Sequence, residues 1–144
     1  MSSADRLYTP DLLALTLRLA DYPWDETLPL TGEARSRSCG STLAMGLLLD
    51  GQGRIDAIGL RARACAVGQA SAAIFAAAAK GKTLEEIEVT AKSMEDWLAD
   101  KGPLPDWPGL DAIEAARAFP GRHGAMMLPW QAALAALSSE RASV

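Results

Sequence analysis

The apolar positions of this chain keep a helical rhythm near its start, an alternating one in its middle and a helical one again to its end. In YTPDLLALTLRLADYP, closely spaced leucines follow Thr9, Pro10 and Asp11. Those three residues have the chemistry of an N-cap, a first helical position and a first turn, and they predict a helix ending near Asp21. YPWDETLPLTG is broken by Pro23 and Pro29 and closes on Gly32, so it reads as an irregular connection in which Trp24 is exposed unless the body covers it. Then the period becomes two. Leu43, Met45, Leu47 and Leu49 alternate, Asp50-Gly51-Gln52-Gly53 interrupts, and a second alternating run passes through Ile58, Leu60, Ala62 and Ala64. This predicts an antiparallel hairpin with Arg61 and Arg63 on a solvated face. GEARSRS, just before Cys39, is a third and more polar strand.

After Cys65 the period returns to that of a helix. AVGQASAAIFAAAAKGKT is alanine-dense, with Lys80 in its last turn and Gly81 just past it. Thr83 and Glu86 form a capping box for a further helix, whose apolar side carries Ile87, Met94, Trp97 and Leu98 and which stops at Gly102. PLPDWPG is a proline-rich loop. LDAIEAARAF and AMMLPWQAALAALSS are the two last helices, separated by PGRHG, with Pro129 near the start of the final one. Strands grouped in one block and flanked by helices predict an α+β fold, a three-stranded antiparallel sheet packed with about five helices.

At 144 residues the chain is expected to form a single domain, residues 1–144, large enough to bury a core without disulfides or a metal. Its net charge of −4 and scattered basic residues exclude the positive face that a nucleic-acid binder needs. MSSADRLYTP lacks the apolar core of a signal peptide, and no run approaches 18 apolar residues, so a cytoplasmic protein without membrane attachment is expected. A reducing compartment argues against a disulfide between Cys39 and Cys65.

The chemistry-bearing residues all fall at junctions between elements. Cys39 lies where a loop enters a strand, Cys65 where a strand enters a helix, and His123, the single histidine, in the loop before the last helix. The two cysteines are much farther apart than a CxxC pair, so their spacing alone identifies no zinc finger. A hairpin sheet can nevertheless bring them to one end, and a helix N-terminus favours negative charge. Arg37, Arg61, Arg63 and Arg122 can add positive charge there. Two thiolates and a neutral imidazole suit zinc or iron–sulfur species. The residues leave two other readings open: a cysteine nucleophile with His123 as its base, and thiols that serve as small core residues. GQGR joins two strands instead of opening a helix, so it is no phosphate cradle.

RSRSCGSTLAMGLLLDGQGRI followed by LRARACAVGQASAAI resembles the two cysteine motifs of the U-type iron–sulfur cluster assembly scaffolds, the NifU N-terminal-like, IscU and SufU proteins. The likeness runs from LYTPDLL through GKTLEE to LPWQAALAAL, and the long stretch between Cys65 and the last helix is similar to the SufU subgroup. The resemblance implies the SufE/NifU-like fold. It also implies a cytoplasmic, non-enzymatic scaffold that takes persulfide sulfur from a cysteine desulfurase and holds a transient iron–sulfur cluster or, at rest, zinc. Cys39 and Cys65 match the first two family cysteines. Ser41 stands where the family has aspartate, and is a weaker ligand. An ungapped match through LPW puts Ala125 at the family's third cysteine, the usual sulfur acceptor, and Gly124 before it. A shift by one residue aligns His123 with the histidine that precedes that cysteine in IscU-type members. Either register leaves no thiol there, so Cys65 or Cys39 becomes the candidate sulfur acceptor. FPGRH replaces the chaperone-binding motif of IscU-type members. The expected metal set is Cys39, Cys65 and His123, with Ser41 as the weaker fourth. The competing expectation is a scaffold fold kept as a binding or regulatory module that holds no cluster.

Overall fold

The computed structural model describes residues 7–38 and 40–142, with side chains described as far as residue 138. Helix α1, Pro10–Leu17, starts as expected: Thr9 Oγ1 accepts the Leu12 N–H at 3.1 Å and Pro10 occupies the first turn. A 3-10 turn, Arg18–Asp21, carries it to the predicted end.

Strands β1 (Leu30–Arg35), β2 (Thr42–Leu49) and β3 (Ile55–Arg63) form one antiparallel sheet in the order β1-β2-β3. The polar third strand is therefore present, as an edge that begins two residues before Gly32 and ends at Arg35. Its register sets Arg35, Thr42 and Arg63 in one cross-strand row and Glu33, Ala44 and Arg61 in the next row on the same face. Leu43, Met45, Leu47 and Leu60 are buried on the opposite face, inside the core.

Helices α2 (Ala66–Ala79) and α4 (His123–Ala142) cover that inner face, and α3 (Leu84–Leu98) packs on α4. The capping box of α3 forms between Thr83 and Glu86. α4 lies directly on β1: a β-carbon at Gly32 would strike the backbone oxygen of Ala132 and nitrogen of Ala136. Phe75 of α2 stacks on Trp107 at 5.1 Å, and Trp130 of α4 meets both rings edge-on at 5.4 Å. The Trp107 indole N–H donates to the Ile74 carbonyl at 3.0 Å, so the proline-rich loop contributes to the core.

The irregular segment after α1 crosses the outer face of the sheet. Gly46 and Gly59 oppose each other across β2 and β3, and Leu28 fills the space their missing side chains leave, while Pro23 abuts Gly59. Trp24 is half-buried, with the Arg61 guanidinium 4.5 Å above its ring and its N–H donating to Glu26.

Two expectations need correction. Residues Leu110–Ala118 form a nine-residue 3-10 helix instead of an α-helix. Leu110, Ile113 and Ala116 are its buried residues, and their spacing of three matches three residues per turn. An α-helix would instead turn Glu114 or Arg117 inward. The last helix starts at His123, fed by a 3-10 turn over Pro120–Arg122, so Pro129 lies in its interior and not near its start. There it removes the N–H that would meet the Ala125 carbonyl. Among the described residues the helical count is four α-helices and this long 3-10 helix, in agreement with the α+β expectation.

Candidate metal centre

The ladder between β1 and β2 closes on a short loop, residues 36–41. The Ser36 N–H donates to the Ser41 carbonyl at 2.8 Å and the Gly40 N–H to the Ser36 carbonyl at 2.9 Å. Gly40 has φ +70°, a left-handed conformation that glycine adopts without the steric penalty of a side chain. Cys39 belongs to this loop and lies outside the described residues. Its neighbour Ser38 donates from Oγ to the Gly121 carbonyl at 2.9 Å, fastening the loop to the turn that enters α4. Gly124, in the first turn of α4, rests on Ser36, whose Oγ would be 2.6 Å from a β-carbon built there.

Cys65 is the N-cap of α2, in extended conformation, with a half-buried free thiol. Its backbone N–H donates to Ser41 Oγ at 3.3 Å, and Ser41 is only 4 % exposed. This bond ties the residue two places after Cys39 to the backbone of the second cysteine. Ala125 is completely buried and packs on the same helix, with its Cβ 3.5 Å from where a β-carbon on Gly68 would lie.

His123 opens α4 with its Nε2 2.7 Å from the Arg117 carbonyl oxygen. A carbonyl only accepts, so Nε2 carries a proton, and Nδ1 is the nitrogen that holds the lone pair whenever the ring is neutral. The ring lines an open depression of about 660 Å³ together with Leu98, Asp100, Glu114, Arg117 and Pro120. Arg117 fixes that wall, donating from Nε to the Trp97 carbonyl at 2.8 Å and pairing with Asp100. The structure thus joins Ser41 to Cys65 and the loop of Cys39 to the entry of α4, while the His123 ring contacts the 3-10 helix. Among the described residues no three His, Cys, Asp or Glu side chains converge as metal ligands.

Of the four arginines expected near the site, Arg37 is exposed in the loop, Arg61 and Arg63 are exposed on β3, and Arg122 turns towards the Tyr8 hydroxyl at 3.4 Å. The anchoring roles of Ser36, Ser38, Gly121 and Gly124 carry no motif. The serine-rich stretch SRSCGS was the one signal for the two serines, and nothing in the sequence marked the two glycines. No helix of the described residues is long and apolar enough to cross a membrane.

No curated protein matches the chain significantly in sequence. Solved structures do match its fold. A nitrogen-fixing NifU-like protein (N-terminal) from Brucella abortus superposes with a TM-score of 0.86 at 23% identity, over 99% of this chain and 100% of its own. A candidate iron–sulfur cluster assembly scaffold protein for the SUF system from the thermophile Fervidobacterium islandicum AW-1 gives 0.79 at 23% identity, over 92% and 97%. The family model described as the NifU-like N terminal domain matches residues 23–122, a span that includes both cysteines and Ser41 and ends one residue before His123. The chain belongs to the NifU-like N-terminal domain family.

Proposed function

We propose that this protein is a scaffold of iron–sulfur cluster assembly that holds iron, zinc or a nascent cluster as cargo through the thiolates of Cys39 and Cys65. Its family supports the role. The observation that carries the site is the Ser41 to Cys65 hydrogen bond, because it closes the first motif onto the second. Soft thiolates suit iron and zinc, and His123 offers a third donor through Nδ1, the nitrogen the Arg117 carbonyl leaves to it. The Ser41 hydroxyl is the weaker fourth. The protein is not an enzyme in this reading. Its partner is a cysteine desulfurase, and Cys65 or Cys39 accepts the sulfur. The accepting thiolate attacks the outer sulfur of the donor's persulfide, a new S–S bond forms, and the donor cysteine leaves as thiolate with no net redox change.

The second reading, a module with no cluster, is favoured by two observations. Ser41 supplies no carboxylate, and the buried Ala125 supplies no thiol where the resemblance expects one. Anaerobic reconstitution with ferrous iron and sulfide, and separately with zinc, separates the two. The scaffold binds metal stoichiometrically and loses it in both Cys39→Ala and Cys65→Ala. Metal content unchanged in both variants overturns the scaffold and leaves the module.

A further inference from the structure

The outer face of the sheet carries a cationic depression beside the loop of Cys39. Arg35, Thr42 and Arg63 form its first row and Glu33, Ala44 and Arg61 its second, with Gly40 at the rim, around a volume of about 510 Å³. β2 contributes only small side chains here, so it forms the floor while the edge-strand arginines stand as walls. Two strand spacings put the backbones of Arg35 and Arg63 about 10 Å apart, and Arg61 and Arg63 follow each other at about 7 Å. These distances let three guanidinium groups close over one small guest.

Apart from the Arg61 stack on Trp24, no contact among the described residues accounts for this arrangement. Arg35, Arg61 and Arg63 are exposed, and none has an ion pair or hydrogen bond from its side chain to another described residue. The Thr42 hydroxyl, between Arg35 and Arg63, has no hydrogen-bond partner among the described residues either. Gathering like charges on one sheet face costs stability. The chain as a whole is acidic, with a net charge of −4, so the depression is a local inversion of its field. The Arg61 guanidinium rests 4.5 Å from the Trp24 ring, and that restraint reduces the entropy lost when it binds a ligand. Guanidinium forks and a hydroxyl are the donors that carboxylate and phosphate oxygens accept from.

We propose that this depression is a binding site for a compact polyanion, a small molecule carrying two or more carboxylate or phosphate groups, held by Arg35, Arg61 and Arg63 with Thr42 between them. The volume falls in the range of small-molecule sites. The proposal stands whether or not the scaffold reading does.

The test titrates the ¹⁵N-labelled full chain with citrate, with pyrophosphate and with a short peptide of glutamates and aspartates, at ionic strength held constant with KCl. Citrate or pyrophosphate should produce saturable amide shifts at residues 35, 42 and 63. The double variant Arg35→Gln/Arg63→Gln should weaken binding at least tenfold, whereas Arg18→Gln, an exposed arginine elsewhere paired with Asp21, should leave it unchanged. Cys65→Ser should also leave it unchanged, which separates this site from metal binding. Absence of saturable shifts, equal weakening in Arg18→Gln, or tighter binding of the acidic peptide than of both small probes overturns the proposal.

Discussion

Ser41 Oγ accepts the backbone N–H of Cys65 at 3.3 Å, a side chain at the start of one strand satisfying the N-cap of a helix that follows a different one. The bond gives Ser41 a structural task in the position where the family's aspartate is expected. Ser41→Ala leaves the Cys65 N–H without this acceptor and should cost about 1 to 2 kcal/mol, read from urea unfolding. Ser41→Asp should lower stability without metal, since it buries a charge, and tighten zinc binding about tenfold by adding an anionic oxygen. Unchanged zinc affinity in Ser41→Asp would remove position 41 from the metal site.

Ala125 packs against the first turn of α2, the helix that Cys65 caps. Ala125→Cys adds one sulfur to a tightly packed contact and should cost about 1 to 3 kcal/mol. In exchange the variant should retain zinc against a chelator at least tenfold longer than the parent protein. Equal retention would mean that position 125 does not face the metal.

Gly32 has no room for a side chain because the backbone of α4 at Ala132 and Ala136 covers it. The obstacle is backbone, which cannot step aside as a flexible side chain can. Gly32→Ala should therefore lower stability by about 3 kcal/mol or more, read as a fall in the thermal midpoint. A change under about 0.5 kcal/mol would contradict the packing of α4 on β1 described above.

In the hairpin loop, the Asp50 carboxylate accepts the backbone N–H groups of Gln52 at 2.8 Å and Arg54 at 3.1 Å. The Arg54 and Gln52 N–H groups hold its pKa below the ordinary 3.8. A folded-state pKa below the unfolded one gives stability that is present above the unfolded value and lost as pH falls through the folded one. Asp50→Asn should therefore be less stable than the parent protein at pH 7, with the difference shrinking below about pH 4. A difference that stays constant from pH 7 to pH 2 would show that the charge contributes nothing.

Much of the fold was legible in the sequence because local chemistry and burial agreed there. The alternating leucines and the Asp50 to Gly53 turn specified the hairpin, and Thr83 with Glu86 specified the start of α3. The 3-10 helix was missed because a spacing of three at Leu110, Ile113 and Ala116 is close to the helical period of 3.6, and tertiary burial decided between them. The outer face of the sheet was read as simply solvated. The opposed Gly46 and Gly59 with Leu28 over them, and the Trp24 stack on Arg61, depend on pairing that only the register reveals.

In the site, the motif positions of Cys65 and Ser41 were legible, but the hydrogen bond between them was not, because it spans two strands. The contact of the His123 ring was equally hidden, since its partner is a backbone carbonyl that any residue at position 117 would provide.

In the proposed scaffold Cys39 and Cys65 hold the metal by sulfur. X-ray absorption at the zinc edge of the anaerobically loaded protein reads these ligands. Two sulfur scatterers at about 2.3 Å with a nitrogen or oxygen shell at about 2.0 to 2.1 Å are expected, together with loss of the bound zinc in both Cys39→Ala and Cys65→Ala. A first shell of nitrogen and oxygen alone, identical in the parent protein and both variants, would contradict that ligation.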